Sequence, residues 1–176
     1  FAQFDLKDLA IERLGGLTNI NYRVNSPVGD FVLRLAGEGT GNYIDRRAEE
    51  NNAQVASNAG VNAEIIFFDA KTGTMVTRYI ENAVTLDIEK FKDKGVLERA
   101  GRAFRRLHDS PRQFEGDFDH FEQIDQYLAV LDQLNADLPD GYSNVHDNAK
   151  TVRAALSSHP LPKRPCHCAP MVENCI

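Results

Sequence analysis

The chain has 176 residues, 42% of them hydrophobic, enough to bury one sizeable core as one domain or two small lobes, which excludes a fibrous or wholly disordered polymer. Its net charge of −6 excludes a general nucleic-acid or anionic-membrane surface, because such binding rests on Lys and Arg neutralising phosphates. No apolar run approaches the roughly 20 residues of a membrane helix and the first residues lack a signal-peptide pattern, so a cytoplasmic location is expected. Three cysteines confined to positions 166 to 175 do not make a disulfide framework. The chain opens on Phe1 and stops at Ile176 directly after a motif-like stretch, so both ends are expected to be trimmed.

Residues 11 to 35, IERLGGLTNINYRVNSPVGDFVLRL, read as strand, glycine turn, strand, turn and strand. Gly15 and Gly16 follow a short apolar run, and glycine lets backbone N–H groups approach a ligand without a Cβ in the way; phosphate is the usual ligand of such a turn. Thr18 and Asn19 add side-chain donors beside it. In FVLRL, alternation puts Phe31, Leu33 and Leu35 on one face and Val32 with Arg34 on the other. Arg34 either meets an anion beneath the turn or, at a sheet edge, reaches water with its head.

The next stretch, AGEGTGNY, has Asn42 where a G-x-G-x-x-G fingerprint needs its last glycine, and is expected to be a flexible connection. Residues 44 to 59 carry Ile44, Ala48, Val55, Ala56 and Ala59 at helical spacing, with Gly60 placed to end the helix. Glu49 and Glu50 fall in this helix; they form a solvated acidic face, or one of them reaches back to Arg34. NAEIIFFD and TMVTRYI, joined by Ala70-Lys71-Thr72-Gly73, have hairpin spacing. Residues 81 to 87 form a linker, after which the composition turns helical. Val96, Leu97, Ala100, Ala103, Phe104 and Leu107 form one apolar stripe ending at His108. Residues 120 to 136 (Phe121, Ile124, Tyr127, Leu128, Leu131, Leu134) and 143 to 157 (Val145, Ala149, Val152, Leu156) give two more helices. The expected class is α+β: an antiparallel five-stranded lobe with one helix over residues 1–80, a linker over 81–87, and part of a helical lobe over 88–176.

This order of parts resembles the protein-kinase-like fold, and the wording of GGLTNINYRV (15 to 24), FVLRLAG (31 to 37), IDRRAEE (44 to 50), MVTRYI (75 to 80) and CHCAPMVEN (166 to 174) is similar to the choline/ethanolamine kinase branch of the aminoglycoside phosphotransferase superfamily. The resemblance implies an ATP- and Mg²⁺-dependent transfer of a phosphoryl group to a small alcohol such as choline or ethanolamine. It implies that Gly15, Gly16, Leu17, Thr18 and Asn19 cover the ATP phosphates, that Arg34 stands where kinases place a lysine, with Glu49 as its partner, and that Thr77, Arg78, Tyr79 and Ile80 carry the adenine along their backbone.

The family's catalytic loop reads H-x-D-x-x-x-x-N. Here His167 and Asn174 keep their places, Asn174 as a metal ligand, while Ala169 occupies the Asp position. A methyl group accepts no proton, and a general base is typically worth about 10²- to 10⁴-fold. The acceptor pocket and a second metal-binding Asp, on the resemblance, lie beyond Ile176. Three readings follow: a choline/ethanolamine-type kinase, inactive in the chain as given; a catalytically dead pseudokinase that binds nucleotide or a partner; or a kinase of an aminoglycoside or another small alcohol. A structural zinc at Cys166, His167, Cys168 and Cys175 is a further, weaker pattern, since adjacent ligands fit a tetrahedron badly.

Overall fold

The structure, a computed structural model, describes residues 5–16, 18–42 and 44–176. Five strands form one sheet: β1 (Ala10–Arg13), β2 (Ile20–Ser26), β3 (Gly29–Leu35), β4 (Ile65–Asp69) and β5 (Thr74–Arg78). Their spatial order is β1-β2-β3-β5-β4, and every neighbouring pair is antiparallel. The first three strands are the expected meander and the last two the expected hairpin, which docks with β5 against β3.

Between the two sets runs helix α1 (Arg46–Asn58). Asp45 caps it, its Oδ1 accepting from the amides of Arg47 at 2.9 Å and Ala48 at 3.2 Å, so two otherwise orphaned donors are satisfied. At the other end Gly60 takes a φ of 69°, the left-handed conformation that stops a helix. Val55 is the helix's fully buried residue.

The sheet is apolar on the side of Val24, Phe31 and Val76, which are all buried. Its other side carries Asn21, Arg23, Val32, Arg34, Met75 and Thr77, brought together by the register pairs Asn21↔Arg34, Arg23↔Val32, Arg34↔Met75 and Val32↔Thr77.

Within residues 36–42, whose glycines suggest a flexible connection, Gly37 and Thr40 are held by close packing and a hydrogen bond. Thr40 is 3% exposed and opens a single 3-10 turn, Thr40–Asn42. Its hydroxyl donates to the Gly37 carbonyl at 2.6 Å, and a Cβ on Gly37 would collide with the carbonyl oxygen of Thr18. The glycine here permits two backbones to touch, a use that composition cannot distinguish from looseness.

Three helices follow: α2 (Lys94–His108), α3 (His120–Gln133) and α4 (Tyr142–Ser157). The chain divides into two compact units, one running to Glu115 and resuming at Arg164, the other from Gly116 to Lys163. In the first unit α2 buries Leu107, whereas Leu97 lies at the edge of its stripe and is exposed.

In the second unit the α3 and α4 stripes depart from expectation: Tyr127, Leu134, Val145, Val152 and Leu156 are all exposed. Phe121, Ile124, Leu128, Leu131 and Ala149 of those stripes are half-buried, and polar contacts lie beside them. Arg153 Nη1 donates to Asp125 Oδ2 at 2.7 Å, its guanidinium lies 5.8 Å from the Phe121 ring centroid, and His146 Nε2 stands 3.9 Å from Asp125 Oδ1. No helix among the described residues is long and apolar enough to cross a membrane.

Candidate nucleotide site

The glycine turn spans the gap between β1 and β2 and is closed from below by Asn21. The Leu14 amide donates to the Asn21 carbonyl at 2.8 Å, and the Asn21 side-chain amide donates to the Gly15 carbonyl at 3.0 Å. Gly16 adopts a φ of 151°, and a Cβ there would run into the Asn19 carbonyl, so only glycine makes the turn this tight. At Gly15 a Cβ would meet nothing within 4 Å, so that backbone faces open space. Thr18 is exposed, while Asn19 is half-buried and its Oδ1 accepts from the Gly37 amide at 3.3 Å. Leu17 lies outside the described residues.

Arg34 is the β3 partner of Asn21, which sets its side chain on the same face as the residue that fastens the turn. Its Nη2 lies 2.5 Å from Glu49 Oε1, and both side chains are 19% exposed. That contact selects Glu49 over Glu50 and removes the water-facing alternative for Arg34. The guanidinium also stands 6.0 Å from the centroid of the Phe68 ring. Its Nε is the one buried side-chain nitrogen or oxygen lacking a hydrogen-bond partner among the described residues. A buried N–H left unpaired costs roughly 1–3 kcal/mol, and an anionic oxygen is the acceptor that would remove the cost.

Sequence reasoning overlooked Arg46. Its Nη1 lies 2.6 Å from Glu49 Oε2, its Nη2 donates to the Thr40 hydroxyl, and it is only 10% exposed. Glu49 therefore serves two guanidiniums, and the cluster of Arg34, Arg46 and Glu49 carries a net positive charge in a half-buried place. The signal that could have found Arg46 is its i,i+3 spacing from Glu49 in the first turn of the helix.

Most of the backbone from Thr77 to Ile80, which the resemblance assigns to the adenine, is already engaged with the sheet and its flanks. Thr77 and Arg78 belong to β5, where Thr77 pairs with both Val32 and Ile65, so its backbone is committed to the sheet on each side. The Arg78 amide donates to the Glu64 carbonyl at 2.9 Å, and that of Tyr79 to the Asp30 carbonyl at 3.0 Å. The connection proper starts after these bonds, at Ile80. Tyr79 instead offers its ring, over which Arg23 stacks at 4.1 Å from the centroid. Arg23 also pairs with Asp30 and by that hydrogen bond holds the Asp30 carboxyl below the usual carboxylate range.

Residues 166–175 form a loop closed on itself. Ala169 is exposed, and its carbonyl accepts from the Met171 amide at 2.8 Å and from the Asn174 side-chain amide at 3.0 Å. The His167 ring meets the Phe104 ring of α2 edge-on, with centroids 6.3 Å apart. The Leu86 amide donates to the Cys175 carbonyl at 2.9 Å, tying the loop to the 81–87 segment.

Among the described residues no three His, Cys, Asp or Glu side chains converge as metal ligands, and the three cysteines are free thiols. The zinc pattern therefore has no ligand set. Ala169 supplies no ligand atom and Asn174 only one carbonyl oxygen, so these residues by themselves do not fit a magnesium ion.

The profile of the phosphotransferase enzyme family (APH) matches residues 10–176. A solved choline/ethanolamine kinase family protein from Mesorhizobium loti is 48% identical with a TM-score of 0.80, the match covering 94% of this chain and 53% of that one. Choline kinase LicA from Streptococcus pneumoniae is 26% identical with a TM-score of 0.78, covering 96% of this chain and 59% of that one; a structure of LicA in complex with AMP matches at a TM-score of 0.76. Protein LicA of Haemophilus influenzae is 34% identical over 123 residues, which are 70% of this chain and 36% of that protein. The chain thus spans between about a third and three fifths of the length of these relatives.

Proposed function

Because the chain belongs to the phosphotransferase enzyme family, we propose that it carries the nucleotide-holding half of an ATP-dependent kinase whose acceptor is the hydroxyl of a small amino alcohol, choline or ethanolamine. The observation that carries the nucleotide part is the Arg34–Glu49 pair beneath the glycine turn, with Arg34 Nε buried and unpaired. Glu49 takes Nη2, which leaves the Nε–H for a phosphate oxygen, and a planar fork suits that ligand better than a point charge does. Backbone around Gly15 lies open to the same phosphates, and the adenine would lie against the backbone that begins at Ile80. Similarity to a choline/ethanolamine kinase family protein and to choline kinase LicA supports the acceptor class.

Chemistry at the other end of the site is weaker. His167 is packed on Phe104 and Asn174 closes the loop, but Ala169 provides nothing to take the proton of an attacking hydroxyl. Magnesium, which accompanies ATP in phosphoryl transfer, would require ligands beyond Asn174. The chain as given is therefore proposed to bind nucleotide without turning over. Ala169 equally favours a second reading, a pseudokinase that uses the same nucleotide pocket for binding alone.

Calorimetric titration of the chain with ATP, alongside a choline and an ethanolamine phosphorylation assay, tests both. Saturable ATP binding that Arg34→Ala weakens about 10- to 100-fold is the expected result. No binding up to concentrations on the order of millimolar overturns the nucleotide reading. Phosphoryl transfer by this chain overturns the proposed inactivity, and with it the pseudokinase.

A further inference from the structure

The glycine turn and the carboxylate of Glu49 are joined by a single line of hydrogen bonds running through the stretch whose glycines suggested a loose connection. Asn19 Oδ1 accepts from the Gly37 amide at 3.3 Å. The Gly37 carbonyl accepts from the Thr40 hydroxyl at 2.6 Å. That hydroxyl accepts from Arg46 Nη2, and Arg46 Nη1 reaches Glu49 Oε2 at 2.6 Å. Glu49 Oε1 lies 2.5 Å from Arg34 Nη2.

The line is built into the fold. Thr40 and Arg46 are 3% and 10% exposed, in the side chain for Arg46, and Gly37 tolerates no Cβ against the Thr18 carbonyl. Arg46 is further enclosed by Gly73 of the β4–β5 turn, where a Cβ would stand 2.8 Å from its Cζ and Nε. Half-buried hydrogen bonds between charged and polar groups lose little to water, so each link restrains the next.

We propose that Arg46 and Thr40 are positioning residues that hold the glycine turn and the Arg34–Glu49 pair in one geometry, so that the turn and the pair grip a nucleotide's phosphates as one unit. Arg46 fills the second oxygen of Glu49, which leaves Oε1 alone to Arg34 and fixes how the Arg34 fork is rotated. Thr40 transmits the position of α1 to Gly37, and Gly37 transmits it to Asn19. This rests on the nucleotide reading above.

The test is a double-mutant cycle between two residues that do not touch, Asn19→Ala and Arg46→Met, read as the dissociation constant for ATP and, in parallel, as stability to denaturant. Coupled residues deviate from additivity by about 0.5–3 kcal/mol, so the expected deviation is about twofold or more in affinity. Repeating the cycle with Thr40→Val, which cuts the line midway, is expected to abolish the deviation, and Thr40→Ser, which restores the hydroxyl, to bring it back.

Additive effects of Asn19→Ala and Arg46→Met on both readouts overturn the proposal, as does a coupling that survives Thr40→Val. If the unaltered chain binds no ATP, the nucleotide reading fails separately, and the stability cycle still decides whether the line couples its two ends.

Discussion

Asn21 and Arg34 stand opposite one another on β2 and β3, so that one residue fastens the glycine turn by its bond to the Gly15 carbonyl while the other lies on the same face with its Nε unpaired. Strand register alone brings the turn and the cation together. Replacing Arg34 by Ala removes a charge-assisted donor, worth about 1.5–3 kcal/mol, so ATP affinity is expected to fall about 10- to 100-fold. Arg34→Lys should recover only part of it, because an ammonium cannot serve Glu49 and a phosphate with a planar fork. Titration of both variants measures this, and unchanged affinity in Arg34→Ala would remove Arg34 from the site.

Gly16→Ala is expected to open the turn. Its φ of 151° and the collision of a Cβ with the Asn19 carbonyl together impose strain of about 1–3 kcal/mol. Gly15→Ala meets no protein atom and should leave stability intact. Comparing the melting temperatures of the two variants checks the distinction.

Asn52 of α1 exchanges two hydrogen bonds with the backbone of Glu115: the Glu115 amide donates to Asn52 Oδ1 at 2.7 Å, and Asn52 Nδ2 donates to the Glu115 carbonyl at 3.0 Å. Asn52→Ala loses both and should destabilise the chain by about 1–3 kcal/mol. Denaturant unfolding would show it, and Asn52→Asp, which keeps only the acceptor, should fall between the two.

Acid should weaken the Arg23–Asp30 contact. The folded pKa of Asp30 is depressed, first by its hydrogen bond from Arg23, so the group contributes stability above its unfolded value, about 3.9, and loses that contribution as pH falls through the folded value. Arg23 stays charged throughout. The melting temperature of the parent chain should therefore exceed that of Asp30→Asn at neutral pH, and the gap should close below about pH 4. A gap that widens on acidification would reverse the sign of the assignment.

Ala169→Asp in this chain is expected to add a carboxylate without turnover, since the loop still presents no second metal ligand. Fused to the remaining half of a relative, the same substitution should raise choline phosphorylation by about 10²- to 10⁴-fold over the alanine parent. Equal rates with Ala and Asp would show that the position does not act as a base.

Local pattern in the sequence sufficed for the strands, the helices and the glycine turn, because alternation, helical spacing and turn residues act within a few positions of one another. It also sufficed to single out Arg34, a cation in an apolar strand, whereas Ala169 was marked only by the resemblance of its loop to the H-x-D-x-x-x-x-N pattern. Three things required tertiary structure. Glu49 over Glu50 was decided by which face α1 turns to the sheet. The link from Arg46 through Thr40 to the turn emerged only in the packed structure, where Gly37, one of three glycines that read as slack, proved to be a point of contact. That the backbone of Thr77, Arg78 and Tyr79 is already engaged was decided by pairing with β3, β4 and their flanks, and pairing between segments distant in sequence is not written in either segment alone.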